Sequence, residues 1–179
     1  DNILIERAGN DNQVPTLNAI GNVSIAEDAS AQTVNLAGLT AGGSESQPLR
    51  VTASSSSTGL IPNPTVNYTS ANATGSIAFT PVTDQSGTAT ITVTVEDGGA
   101  DGNLSTAGDN ATLSRTFDVT VNAVNDTPTL NALSNLSIAE DASEQTVNLA
   151  GIIAGGAESQ PLRVTASSSN TGLIPNPAV

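Results

Sequence analysis

The run Gly87-Thr88-Ala89-Thr90-Ile91-Thr92-Val93-Thr94-Val95-Glu96 decides the fold class. Ala89, Ile91, Val93 and Val95 fall on one side of an extended chain, with Thr88, Thr90, Thr92 and Thr94 on the other. A period of two marks a strand buried on one face, and β-branched threonine suits the solvent face of a pleated sheet. The alternation returns near residues 113–123, where Phe117, Val119 and Val121 oppose Thr116, Asp118 and Thr120. Further runs near 19–26, 32–38, 48–55, 65–70 and 75–80 are separated by Gly-, Pro-, Asn- and Ser-rich connections. No segment carries a helical period. Seven short strands without helices predict a sandwich of two antiparallel sheets.

The same stretch of sequence occurs twice. Residues 15–66, opening Pro15-Thr16-Leu17-Asn18-Ala19, return without a gap at 128–179, opening Pro128-Thr129-Leu130-Asn131-Ala132, an offset of 113 positions. Ser24-Ile25-Ala26-Glu27-Asp28-Ala29-Ser30 recurs unchanged as Ser137-Ile138-Ala139-Glu140-Asp141-Ala142-Ser143. Repetition this close belongs to strung modules, in which one solution is copied. The expected organisation is the end of a preceding repeat and its linker over 1–13, a complete repeat over 14–126, and the N-terminal part of a second, strands A to C, over 127–179.

Composition limits the functional classes. The 179 residues include no Cys, Met, Trp or His, and the aromatic residues are Tyr68, Phe79 and Phe117. The core must therefore be aliphatic. Catalysis is not expected, because a nucleophile–base pair lacks its usual members and the carboxylates lie in duplicated loops. Zinc sites built on Cys and His are excluded on the same count. Seventeen acids against four arginines give a net charge of −13. That argues against nucleic acid, whose binding needs clustered cations, and against anionic membrane surfaces. No stretch reaches the roughly 18 apolar residues of a membrane helix.

The acids are not scattered. If each strand crosses the sandwich in turn, the A–B and E–F loops and the exit from strand G share one pole. The B–C and F–G loops share the other. Glu27, Asp28, Asp84 and Asp126 then gather at the first pole. Glu45, Asp97, Asp101 and Asp109 gather at the second, beside Asp11 and Asn12 of the entering linker. Crowded carboxylates repel, and a hard dication relieves them; Ca²⁺ takes six to eight oxygens from carboxylates, amides and carbonyls. The joint between copies would use Glu27, Asp28, Asp84, Asn125 and Asp126, with Glu158, the counterpart of Glu45, from the next repeat. The upstream joint would use Asp11, Asn12, Glu45, Asp97 and Asp101. The plain alternative is that these are solvated loop charges.

Three motifs carry a resemblance: the Ala26-Glu27-Asp28 turn, Val95-Glu96-Asp97-Gly98-Gly99, and the joint Val121-Asn122-Ala123-Val124-Asn125-Asp126-Thr127-Pro128. They are similar to the glutamate after strand A, the Ala-x-Asp-x-Gly turn and the Asp-x-Asn-Asp-Asn linker of cadherins. Over residues 14–179 the chain resembles the cadherin-like and immunoglobulin-like tandem repeats of large bacterial surface or secreted proteins. The resemblance implies an all-β, seven-stranded antiparallel Greek-key sandwich, with Glu27, Asp97 and Asp126 as calcium ligands. The departures are Asn122 and Ala123 near the first linker aspartate, Thr127 in place of the last asparagine, and a lone Glu45 where cadherins carry Asp-x-Asp. Fewer charged ligands leave room for fewer ions per joint than in animal cadherins, or for none.

The leading expectation is a non-enzymatic extracellular or cell-surface spacer, whose partners are neighbouring repeats and whose joints calcium stiffens. One alternative is a glycan- or protein-binding adhesion module, in which weak contacts add through multivalency. Another is a filament subunit whose incomplete second repeat is completed by another copy.

Overall fold

The computed structural model describes residues 12–179. They divide into two compact units, with the boundary between Val124 and Asn125. The first contains seven strands: β1 (Val23–Ala26), β2 (Gln32–Ala37), β3 (Leu49–Ser55), β4 (Thr65–Asn67), β5 (Thr74–Phe79), β6 (Gly87–Asp97) and β7 (Thr112–Asn122). They form a four-stranded sheet ordered β1-β7-β6-β3 and a three-stranded sheet ordered β2-β5-β4. Among the described residues there is no helix long and apolar enough to cross a membrane.

Alternation places the core. Ala89, Ile91, Val93 and Val95 of β6 are fully buried, and Phe117, Val119 and Val121 of β7 meet them on the same face of the sheet. Leu36 of β2 and Ile77 and Phe79 of β5 close the same apolar cluster from the other sheet. The threonines of β6 stay on the outer face, where Thr90 donates to Asp118 across the β6–β7 ladder.

Two features differ from the sequence reading. The four-stranded sheet is not wholly antiparallel, because β1 pairs with β7 in parallel, Val23 opposite Val119. Seven successive traverses leave the first and last strands running the same way, so their direct pairing has to be parallel. The expected first strand over 19–26 is shorter, and the residues just before it lie beside the other sheet. Thr16 and Asn18 hydrogen-bond to Thr40 and Ala37 beside β2, whereas Val23–Ala26 join β7. The chain changes sheets between them, and Asn22 fixes the crossing by accepting from the Asp118 amide.

In the second unit the expected strands A to C form no ladder; an isolated bridge joins Thr129 to Ile153. Its local turns nevertheless copy the first unit. Thr129 and Asn131 bond to Ile153 and Ala150 as Thr16 and Asn18 bond to Thr40 and Ala37. The ladders are missing because β1, β2 and β3 pair with β7, β5 and β6, and residues 125–179 contain no counterparts of those three. Apolar rows are uncovered for the same reason: Leu149 is 36% exposed where its counterpart Leu36 is 1% exposed, and Leu173 is 75% exposed against 6% for Leu60.

Candidate functional sites at the two poles

The parallel β1–β7 pair brings the end of β1 beside the exit of β7. Glu27 is the buried hinge of this pole. Its amide donates to the Asn122 carbonyl at 2.8 Å, and its carboxylate accepts from the Val124 amide. One side chain thus fixes the direction in which the chain leaves the first unit. Asp28 follows with φ of 60°, and Asp84, in the β5–β6 loop, has φ of 55°. Left-handed backbone is uncommon outside glycine, and aspartate is among the residues that tolerate it best. The Asp84 amide donates to Asp28 Oδ1 at 3.0 Å, and carboxylate oxygens of the two residues lie within 4.8 Å of each other. Two negative groups are therefore held side by side at the exit.

Asn125, Asp126 and Glu158 belong to the second unit. The Asp126 amide donates to Glu158 Oε2 at 3.1 Å, and Gln160 donates to the same oxygen. The first unit repeats this closure at its own entry, where the Gln13 amide donates to Glu45 Oε2 at 2.9 Å. Glu45 and Glu158 thus hold the entry turn of their repeats. Oδ2 of Asp126 is shielded from solvent and has no hydrogen-bond partner. Gly155 is obligatory beside it, since a Cβ there would come within 2.6 Å of Asp126 Cβ.

At the opposite pole, Asp97 is 0% exposed. It continues the inward row of β6 after Val95, so the strand's own parity drives it into the protein. Oδ1 of Asp97 accepts from the Gly99 and Ala111 amides and from Asn12 Nδ2, each at 2.9 Å. Asn12 also donates to the Asp109 carbonyl and accepts from Gln47 Nε2. Asp101 is exposed; its carboxylate accepts from the Asn103 amide, and its own amide donates to Asp109 Oδ2. Asp11 lies outside the described residues. On the outer face, Glu96 takes hydrogen bonds from Asn110 and Arg50, which hold its carboxyl below the usual glutamate value, the Asn110 bond contributing most.

Gln47 and Asn110 are the polar residues here that the sequence reading passes over; Asp109 was placed at this pole by its charge but not among the ligands. The available signal for Gln47 was parity, because 47, 49 and 51 share a side of the chain and Leu49 and Val51 are buried. The β6–β7 loop carrying Asp109 has no period from which to read its path.

No family model and no curated protein matches the chain. Among solved structures, domains 4 and 5 of the S-layer protein SbsC match with a TM-score of 0.34 and 18% identity, over 60% of this chain and 47% of that one. The chain thus spans about half the length of that structure. Titin domains z1z2 in complex with telethonin give a TM-score of 0.37 and 18% identity over 68% of this chain and 54% of that one. SbsC domains 4–9 give 0.38 and 19% over 88% and 26%.

Proposed function

We propose that the repeat is a non-enzymatic structural spacer of an extracellular or cell-surface tandem-repeat protein, stiffened by calcium where one repeat leads into the next. The carrying observation is the Asp28–Asp84 pair, two aspartates with left-handed backbone whose carboxylates adjoin at the exit pole. Asp126 supplies the third carboxylate in this reading. Glu27 and Glu158 act as positioning residues that direct the exit and the entry, while Asn125 adds a neutral oxygen. All of these are hard oxygen donors, the kind that calcium takes and soft metals do not.

The physical role follows from linkage. An ion bound by groups on both sides of a joint favours the arrangement that brings them together. A joint that is loose without calcium then becomes rigid with it. Extracellular modules hold calcium with Kd near about 10⁻⁴–10⁻³ M, so the joint fills outside cells. Calorimetric titration of the chain with calcium, compared with D28N/D84N, tests the reading. Loss of one bound ion in the variant supports it, and equal binding by both chains removes it.

A second reading has its own support. Leu149, Leu173 and Ile174 of the second unit are exposed where Leu36, Leu60 and Ile61 of the first are buried. Strands equivalent to β5, β6 and β7, supplied by another copy, would cover that face and link copies into a filament. Concentration-dependent assembly in light scattering would favour this reading over the spacer.

A further inference from the structure

We propose that Asp101–Gly102 is a site of covalent modification, at which the aspartate converts spontaneously to isoaspartate as the protein ages, while the fold protects the neighbouring Asp97–Gly98 pair. The modification stands whether or not either pole binds an ion, and it needs no partner other than water.

The chain contains two Asp-Gly pairs, Asp97-Gly98 and Asp101-Gly102, and no Asn-Gly pair. A glycine after aspartate presents the least hindered backbone nitrogen, because it has no Cβ. That nitrogen attacks the aspartate Cγ. A C–N bond forms, the amide proton and the carboxyl hydroxyl leave as water, and the ring closes as a succinimide. Water then opens the ring at either carbonyl. Opening at Cγ restores aspartate, and opening at the backbone carbonyl routes the chain through the side chain as isoaspartate. The water released in the first step is taken up in the second, so the product keeps its mass and gains an extra backbone carbon.

Both pairs hold the geometry that begins this reaction. Asp101 Oδ1 accepts from the Asn103 amide at 2.8 Å, and Asp97 Oδ1 accepts from the Gly99 amide at 2.9 Å. In each turn the carboxylate folds forward over the following peptide, which sets Cγ beside the glycine nitrogen.

Asp97 is then fixed in place. Its carboxylate takes two further hydrogen bonds, from the Ala111 amide and from Asn12, and both Asp97 and Gly98 are buried. A Cβ on Gly98 would lie 2.9 Å from the Gly102 carbonyl carbon and 3.0 Å from Pro48. The backbone there has no room to turn into a ring, and water has no access to open one.

Asp101 has neither restraint. Asp101 and Gly102 are exposed and line an open hollow with Glu45 and Pro48. A Cβ on Gly102 would meet nothing within 4 Å. The bond that occupies the attacking nitrogen, from the Gly102 amide to the Gly99 carbonyl, is long at 3.2 Å, and exposed loop bonds of this kind open locally at little cost. Isoaspartate here displaces the Asp101 amide from Asp109 Oδ2 and the Asp101 carboxylate from the Asn103 amide, which loosens the β6–β7 loop.

The test stores the whole chain in warm neutral buffer, once folded and once in urea, and locates isoaspartate by peptide mapping and by enzymatic methylation of isoaspartyl carboxylates. The folded chain should accumulate isoaspartate at Asp101, preceded by a succinimide lighter by one water, and none at Asp97. In urea both pairs should react, which shows that the fold protects Asp97. D101E keeps the charge but closes a ring far more slowly, so its folded chain should lose the methylation signal. A folded wild-type chain that reacts at neither pair, or equally at both, overturns the proposal, as does a D101E chain that is methylated as readily as wild type.

Discussion

The backbone amide of Asp84 donates to the carboxylate of Asp28 at 3.0 Å, joining two loops 56 positions apart, and both residues hold left-handed backbone. The pair sits where β1 ends and β7 leaves, and it concentrates negative charge at the point from which the chain continues.

That charge has a cost without a counterion. Two unit charges within 4.8 Å of each other repel by about 1 kcal/mol even at the dielectric constant of water. D84N should therefore leave the calcium-free protein as stable as wild type or more stable, by up to about 1 kcal/mol. With calcium well above its Kd the order should reverse, since wild type gains about 1.4–2.7 kcal/mol at 10 to 100 times Kd. Melting curves with chelator and with calcium check both halves.

Glu27 makes a different prediction. Its carboxylate is buried and holds the Val124 amide, so E27A removes a charge-assisted acceptor and leaves a donor unpaired. The expected loss is about 1–3 kcal/mol by urea unfolding, with or without calcium. E27Q keeps an acceptor and should lose less.

The repeat offers an internal control on packing. Leu36 and Leu149 occupy equivalent positions but are 1% and 36% exposed. L36A should cost about 2–5 kcal/mol, whereas L149A should stay within about 0.5 kcal/mol. Denaturant curves of the two variants make the comparison directly.

Glu96 sets a pH dependence. Hydrogen bonds from Asn110 and Arg50 lower its pKa in the folded state, so around the ordinary glutamate value the unfolded chain binds more protons. Stability from this group is present above the unfolded pKa of 4.5 and lost as pH falls through the lower folded value. E96Q should narrow the difference in melting temperature between neutral and acid pH. An unchanged difference would show that the pair with half-exposed Arg50 contributes nothing measurable.

Much of this was written in residue order. Alternation from Ala89 to Val95 announced a strand with one buried face, and carrying its parity one step further puts Asp97 inside. Turn residues alone suggested instead that Asp97 begins a loop. The change of sheet before Val23 was not legible, because Ile20 and Val23 are both apolar and nothing in the run tells where the chain crosses. The parallel β1–β7 pair follows from counting traverses, once the first and last strands of the repeat are known to be neighbours. The charge clusters at the two poles were legible for that reason. Asp109 was placed at its pole by charge alone, whereas Gln47 was hidden, because its link to Asp97 and Asp109 runs through the hub residue Asn12.

The joint ion is tested most directly by following the amide NMR signals of Asp84 and Asp126 while calcium is added to the wild-type chain. The account predicts that both shift together and saturate in the millimolar range, and that D28N abolishes the response at both. Signals that stay in place at millimolar calcium, or that move identically in D28N, would contradict it.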